Sequence, residues 1–273
     1  MKKNKQTLTN NCSTEHKAFL KKIKKQKTLV ICLQIGLLVI FLSLWEVCAR
    51  FGLIDVLFTS SPTRMVNTII DLAQQNNLWQ HVFTTLYEAV LAFIVATLLA
   101  FVIAVLLWQS DVLRKVLEPY IVVLNSLPKI ALGPLIIIWC GVGTKSIVVM
   151  AILIMIIVTI LSLLSSFLSC DKDKISLMQS FGASKMQILT KLVIPNSIPD
   201  CISILKINVG LTWVGTIMGE YLVSKAGLGY LIVYGGAVFK LDLVMASTLL
   251  LCLLASLMYF CVAGIEKWYK KHH

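Results

Sequence analysis

The pattern closest to catalytic machinery is Gly141-Val142-Gly143-Thr144-Lys145-Ser146, which carries the glycines, lysine and hydroxyl of a phosphate-cradling loop. Such a loop needs glycine directly before its Lys-Ser pair, and Thr144 stands there instead. Nucleotide hydrolysis is excluded for this stretch. The four histidines, His16, His81, His272 and His273, have no partner at metal-ligand spacing, and no Gly-x-Ser-x-Gly elbow is present. The eight cysteines (Cys12, Cys32, Cys48, Cys140, Cys170, Cys201, Cys252 and Cys261) form no Cys-x-x-Cys pair. Most lie in apolar runs, which suits a small polarizable packing residue better than zinc or redox chemistry. A membrane-embedded enzyme needs His, Asp or Glu clustered at one depth, and the sequence offers no such cluster.

What remains is a handful of polar residues inside apolar stretches. Lys129 stands between Pro128 and Pro134, while Lys206, Asn208, Trp213 and Glu220 share a run with Gly210, Gly215 and Gly219. An ionisable group at a bilayer centre costs about 2.5–3.5 kcal/mol on insertion scales, so it faces protein or water. Proline removes a backbone donor, and such helices persist in lipid only where protein or a wet cavity serves the freed groups. Pro128, Lys129, Pro134, Asn208, Trp213 and Glu220 are therefore candidates to line or hinge a route through a membrane. The alternative is ordinary packing of kinked helices. Lys129 could attract an anion, snorkel, or pair with Glu118. Glu220, near the outer end of its span, suits packing or gating better than solute contact, and Glu46 and Glu88 at the outer boundary need no special role.

The elements that position these residues follow from composition. Of 273 residues, 58% are apolar and 14% charged, and the mean hydropathy is +0.86. Soluble domains average about 45–50% apolar and about 25% charged. The solvent must be lipid. With about 20 apolar residues needed per crossing, six spans are expected at 28–48, 89–107, 119–143, 146–168, 199–223 and 243–265. The fold class is an all-α integral membrane protein. Its parts are a basic tail over 1–27, a transmembrane domain over 28–265 and a short tail over 266–273. The apolar run after the N-terminal lysines is long and lacks a small-x-small cleavage site, so it reads as an uncleaved first span. Between spans one and two, Ser61 as N-cap, Pro62 at the first helical position, and Met65, Ile69, Leu72 and Ala73 describe a short amphipathic helix.

Charge fixes the orientation. Nine of the 25 basic residues fall between Lys2 and Lys27. With these, Arg114, Lys115, Lys172, Lys174, Lys185, Lys191, Lys267, Lys270 and Lys271, one side holds eighteen. The other holds five: Arg50, Arg64, Lys145, Lys225 and Lys240. The rule that positive loops stay inside puts both termini in the cytoplasm. The basic tail holds one Phe (Phe19) and no Trp or Tyr among its nine lysines, too few to stack a run of bases, so an anionic lipid surface and not nucleic acid is its partner.

The longest inner loop, 169–198, carries the most information. Ile175, Met178 and Phe181 recur every three residues before Gly182, and Met186, Leu189 and Leu192 do so after it. Two short amphipathic helices are expected, with Gly182 as hinge and Pro195 as the stop before the next span. The apolar stripe either packs on its own span ends or docks into a groove on a cytoplasmic protein.

Here the chain resembles the binding-protein-dependent transport permeases, the membrane subunits of ATP-driven (ABC) importers. Their signature runs Glu-Ala-Ala, three residues, Gly, nine residues, Ile-x-Leu-Pro. Gly182 and Pro195 stand at that separation with Leu192 and Ile194 in the apolar places, while Ser176, Leu177 and Met178 replace Glu-Ala-Ala. Pro128-Lys129-x-Ala131-Leu132-x-Pro134-Leu135, Trp139-x-Gly141-x-Gly143, Phe181-Gly182-Ala183-Ser184, Gly219-Glu220, Gly227-Leu228-Gly229-Tyr230 and Asp242-Leu243-Val244 are similar to the nitrate, sulfonate, taurine and bicarbonate branch. The resemblance implies a type I importer fold and a homodimer of permeases. Two ATP-binding subunits would hold ATP and Mg, so this chain needs no cofactor or metal, and a lipid-anchored or periplasmic binding protein would deliver the solute. It also implies that Ser176, Met178, Phe181, Gly182, Ala183, Met186, Leu189 and Pro195 couple to the ATPase. The cargo would be a small anion of the sulfonate, nitrate or taurine kind, or alternatively a thiamine-precursor pyrimidine.

Overall fold

A computed structural model describes residues 14–53, 59–75 and 77–272. Lys2, Lys3, Lys5, Cys12 and His273 lie outside the described residues, as do the side chains of His16, Lys17, Lys27 and His272. Among the described residues all regular structure is helical. The chain divides into two compact units, Met1–Arg64 and Met65–His273.

In the first unit, helix α1 (Thr14–Arg50) contains the first crossing segment, Lys21–Arg50. Near its end the Glu46 carboxylate accepts from Arg50 Nε at 2.8 Å, from Thr63 Oγ1 at 2.8 Å and from the Thr63 backbone N–H at 3.1 Å. Glu46 thus ties the end of α1 to the start of α2 (Pro62–Gln74), a role its boundary position did not announce. Ser61 Oγ accepts from the Arg64 N–H at 3.4 Å, the N-cap read from the sequence.

In the second unit the long helices are α3 (Asn77–Gln109), α6 (Thr144–Leu168), α9 (Ile194–Val223) and α11 (Leu241–His272). Between α3 and α6 lie α4 (Asp111–Ser126), a 3-10 turn (Lys129–Leu132) and α5 (Gly133–Cys140). The segment expected as one crossing at 119–143 is thus broken, its halves bent by 86°. The cause is local: Leu127, which precedes Pro128, is extended (φ −66°, ψ 138°), because the proline ring clashes with a helical residue before it. Among the described residues of both units, five helices are long and apolar enough to cross a membrane, or six with the bent pair taken as one.

The centre of this unit is the α3/α6/α9 packing. Helix α3 turns a stripe of Ala89, Ala92, Ala96, Ala100 and Ala104 inward, all fully buried. Small residues let helix backbones approach closely where lipid supplies no hydrophobic drive. The α6/α9 crossing is tighter still. A Cβ added at Gly215 would sit 2.5 Å from Ala151 Cα, and one at Gly219 would sit 2.9 Å from Ile147 Cα. Helix α11 covers α9 and α10 (Leu228–Ala237), with Leu243, Leu251, Met258 and Val262 joining Val209 and Trp213 in one apolar cluster.

Two more helices, α7 (Lys172–Ser180) and α8 (Lys185–Ile188), form the Gly182 loop. The expected stop at Pro195 is absent. Helix α8 runs through a π turn (Leu189–Val193) into α9, and Lys185–Val223 is one 39-residue helical run. Pro195 has no N–H for a helical bond and its ring crowds the preceding turn. The wider π turn just before it, in which Ile194 N–H donates to Leu189 O, lets the helix absorb the proline instead of ending.

Candidate functional site

The loop is built from two helix caps placed back to back. Helix α7 starts on Asp171, whose carboxylate accepts from the Asp173 N–H at 2.9 Å. It ends in a Schellman motif: Ala183 N–H donates to Met178 O at 3.0 Å and Gly182 N–H to Gln179 O at 2.9 Å. Gly182 takes φ +78°, a left-handed conformation that costs an L-residue energy and glycine almost none. Two residues on, Ser184 opens α8 with a capping box: its Oγ accepts from Gln187 N–H at 3.3 Å, and its own N–H donates to Gln187 Oε1 at 2.8 Å. The angle between the helices is therefore set by hydrogen bonds on both sides of Gly182.

The apolar stripe divides. Ile175, Met178, Ala183 and Leu192 pack against the cluster around Phe167, and Leu189 is fully buried. That part of the stripe serves the loop's own seat, and Leu189 offers no surface to a partner. Phe181 (82% exposed), Leu177 and Met186 face outward at the tip, with Ser176 and Pro195 also exposed. Gln109, the last residue of α3, steadies the loop: its Nε2 donates to Met186 Sδ at 3.6 Å, and Lys185 Nζ donates to its carbonyl at 3.5 Å.

At the opposite end of the bundle, Glu220 is 1% exposed. It belongs to a set of side chains that cap the start of α10. Gly227 N–H donates to His81 Nδ1 at 2.9 Å, Leu228 N–H to Thr85 Oγ1 at 2.8 Å, and Gly229 N–H to Glu220 Oε2 at 2.5 Å. Three consecutive donors that a helix start leaves orphaned are thus satisfied by α3 and α9. Gly227 and Gly229 are required because a Cβ at either would meet the Glu220 carboxylate at 2.5 or 2.7 Å. Glu88, also 1% exposed, reaches both Glu220 and Thr144. Sequence reasoning left Glu88, His81 and Thr85 without a role. The available signal was an acidic residue directly ahead of the charge-free window at 89–107.

Between the two ends runs a buried polar seam. Thr159 Oγ1 donates to Asn208 Oδ1 at 3.0 Å, joining α6 to α9, and Thr212 Oγ1 donates to Asn208 O at 2.7 Å. Asn208 is 1% exposed, and Trp213 is buried in the α9/α11 cluster. These side chains stand between helices, not on an open face. Lys129 sits at the bend beside Pro128, half-buried, with Nζ donating to Asn125 O at 3.0 Å and to Asn125 Oδ1 at 3.4 Å. It closes the end of α4 and does not pair with Glu118. Pro134 opens α5. Lys206 Nζ pairs with Glu266 Oε2 at 2.5 Å, which joins α9 to α11. Among the described residues no His, Cys, Asp and Glu cluster could hold a metal.

Comparison with known proteins agrees with this architecture. Residues 96–272 match the family model described as binding-protein-dependent transport system inner membrane component. The taurine transport system permease protein TauC of Escherichia coli is 26% identical over 242 residues, covering 87% of this chain and 88% of its own. A probable ABC transporter permease protein of Haemophilus influenzae is 30% identical over 241 residues, 88% of this chain and 95% of its own. Among solved structures, an inward-facing conformation of the MetNI methionine ABC transporter superposes with a TM-score of 0.65 at 18% identity, over 71% of this chain and 97% of that one. A capped loop at one end of a glycine-tight helix bundle, in a sequence that matches this model over most of its length, identifies the chain: it belongs to the family of binding-protein-dependent transport system inner membrane components, as a permease subunit of an ABC importer.

Proposed function

We propose that this permease works as a pair of identical chains, each seating its Gly182 loop in a separate ATP-binding subunit, and that its cargo is a small sulfonate of the taurine type. The observation that carries the coupling role is the loop tip. Phe181, Leu177 and Met186 are exposed on a turn fixed by two caps, a rigid apolar knob of the kind that fills a groove on a partner. The tip continues through α8 and the π turn into α9 without a break, so force on the knob reaches the membrane helices.

The ATP-binding subunits hold ATP and Mg, and an external solute-binding protein, lipid-anchored or periplasmic, delivers the solute. Both termini face the cytoplasm, as the eighteen-to-five distribution of basic residues favours. Pro128 and Pro134 act at the bend as hinges. Asn208, Trp213 and Glu220 act on the route by holding its walls together. The sulfonate assignment rests on the likeness to the taurine permease.

The test is reconstitution in proteoliposomes with the ATP-binding subunit and the solute-binding protein of the same transport system. Taurine uptake that requires ATP and all three components is the expected result. ATP hydrolysis by the permease alone overturns the division of labour. Uptake of a formylated aminopyrimidine in place of taurine reassigns the cargo and leaves the machinery standing.

A further inference from the structure

One face of α6 near the loop end is polar without being packed. Ser162, Ser165 and Ser169 line an open groove with α4 on one side and α9 on the other. Its two lobes, 460 and 600 Å³, share the Leu161, Ser165 and Ser169 face of α6. Elsewhere in these helices a hydroxyl turns back to the carbonyl four residues earlier, as Ser126, Ser203, Thr248 and Ser256 do, which is the usual way to hide a hydroxyl from lipid. Ser162 and Ser165 do neither this nor anything else: among the described residues their hydroxyls have no hydrogen-bond partner. An unpaired hydroxyl facing acyl chains is costly. Ser169 Oγ donates to Ser166 O at 2.7 Å, and the two hydroxyls left unpaired mark water or a polar solute.

The groove also carries charge of both signs. In the α4 lobe, Arg114 and Glu118 stand one turn apart. The Arg114 guanidinium spends one nitrogen on Asp111 at 3.0 Å, while its Nε is buried without a partner. In the α9 lobe, Asp200 is held by Ser166, whose Oγ donates to its Oδ2 at 2.8 Å, and is otherwise exposed to the groove.

We propose that this groove is the site from which the solute leaves the permease, and that it selects a small zwitterion over a simple anion. The guanidinium and the serine hydroxyls suit a sulfonate, which accepts hydrogen bonds only, and the Glu118 and Asp200 carboxylates suit an ammonium. Two acids against one base make the groove a poor host for a solute with negative charge alone. The proposal rests on the taurine-type reading above and deepens it by naming the groups that would recognise the sulfonate and the ammonium of that solute.

The test uses the reconstituted importer with taurine and with ethanesulfonate, which lacks the ammonium. Asp200→Asn is expected to lower the maximal taurine uptake rate about tenfold, the size of one charge-assisted hydrogen bond. Ethanesulfonate uptake should not fall. Arg114→Gln should slow both solutes. Normal taurine uptake by Asp200→Asn overturns the groove while leaving the sulfonate reading intact, and a wild type that carries neither solute overturns both. A second measurement does not depend on transport. Ser165→Cys, in a chain whose native cysteines are replaced, should react with a charged water-borne methanethiosulfonate and be protected by taurine. Reaction only with a lipid-soluble maleimide shows a groove filled by lipid, and the proposal fails.

Discussion

The sharpest consequence of the loop geometry concerns Gly182. Its φ of +78° lies where an L-residue pays about 1–2 kcal/mol, and a Cβ there would meet no atom within 4 Å. The penalty for substitution is therefore one of backbone conformation and not of crowding. Gly182→Ala should shift the turn against its present form by a factor of roughly 5–30, and Gly182→Val, stiffer by its branched Cβ, by more. Gly182→Asn, although larger than alanine, should lose little, because asparagine visits the left-handed region readily. The assay is solute taken up per ATP hydrolysed in proteoliposomes holding the complete importer, with insertion checked by recovery from the membrane. The expected order of coupling is Gly above Asn, then Ala, then Val. If asparagine uncoupled as badly as valine, bulk at the partner surface would be the cause and the backbone argument would be wrong; normal coupling by valine would sink the role of the fixed turn altogether.

Other expectations can be checked on the purified permease. Glu220→Ala removes the acceptor of the Gly229 N–H and should cost about 1–3 kcal/mol, the penalty of a buried unpaired donor, seen as a lower unfolding temperature in detergent; Glu220→Gln, which keeps an oxygen, should cost less. Gly215→Ala drives a methyl to 2.5 Å from the Ala151 Cα and should destabilise the α6/α9 crossing by about 1–3 kcal/mol, whereas the same change at Gly210, which has open space, should cost far less. Asn208→Ala should cost only about 0.6 kcal/mol, because interhelical hydrogen bonds in membranes are weak on average, and a larger loss in the same melt would mark the seam as more than packing. Phe181→Ala, at an 82% exposed tip, should leave the melt unchanged and weaken co-purification with the ATP-binding subunit.

Sequence pattern made some of this legible and concealed the rest for physical reasons. The apolar windows, the Ser61 cap and the Gly182 turn were readable because each is local: lipid dictates span length, and a cap needs only its own few residues. The break at Leu127–Pro128 was readable as irregularity but not as an 86° bend, since proline limits the preceding residue without saying where the next helix packs. Pro195 misled because a proline rule assumes an α register, and the π turn at Leu189–Val193 removes that assumption. Glu88 and Glu220 were out of reach for another reason. They are 132 positions apart in the chain, and the α3/α9/α10 packing alone brings them together. The serine face of α6 was visible in principle, as Ser162, Ser165, Ser166 and Ser169 fall on one side of a helix. The isoleucines and leucines around it keep the window strongly apolar, so hydropathy alone does not single it out.

These features together limit how the bundle can move. The run from Lys185 to Val223 is helical throughout, and at Gly215 and Gly219 its backbone lies against α6 with no side chain between them. A load on the loop tip therefore displaces α9 and α6 as one body, since sliding either past the other would drive Ala151 or Ile147 into the facing backbone. The far end adds to this rigidity, because His81, Thr85 and Glu220 hold the first turn of α10 by its N–H groups. Compliance must lie elsewhere in the second unit, and the bend at Leu127–Pro128 is where a helix is already broken. The serine groove opens beside α4, the segment leading into that bend. Rotation there would widen or close the groove while the glycine-tight crossing stayed intact.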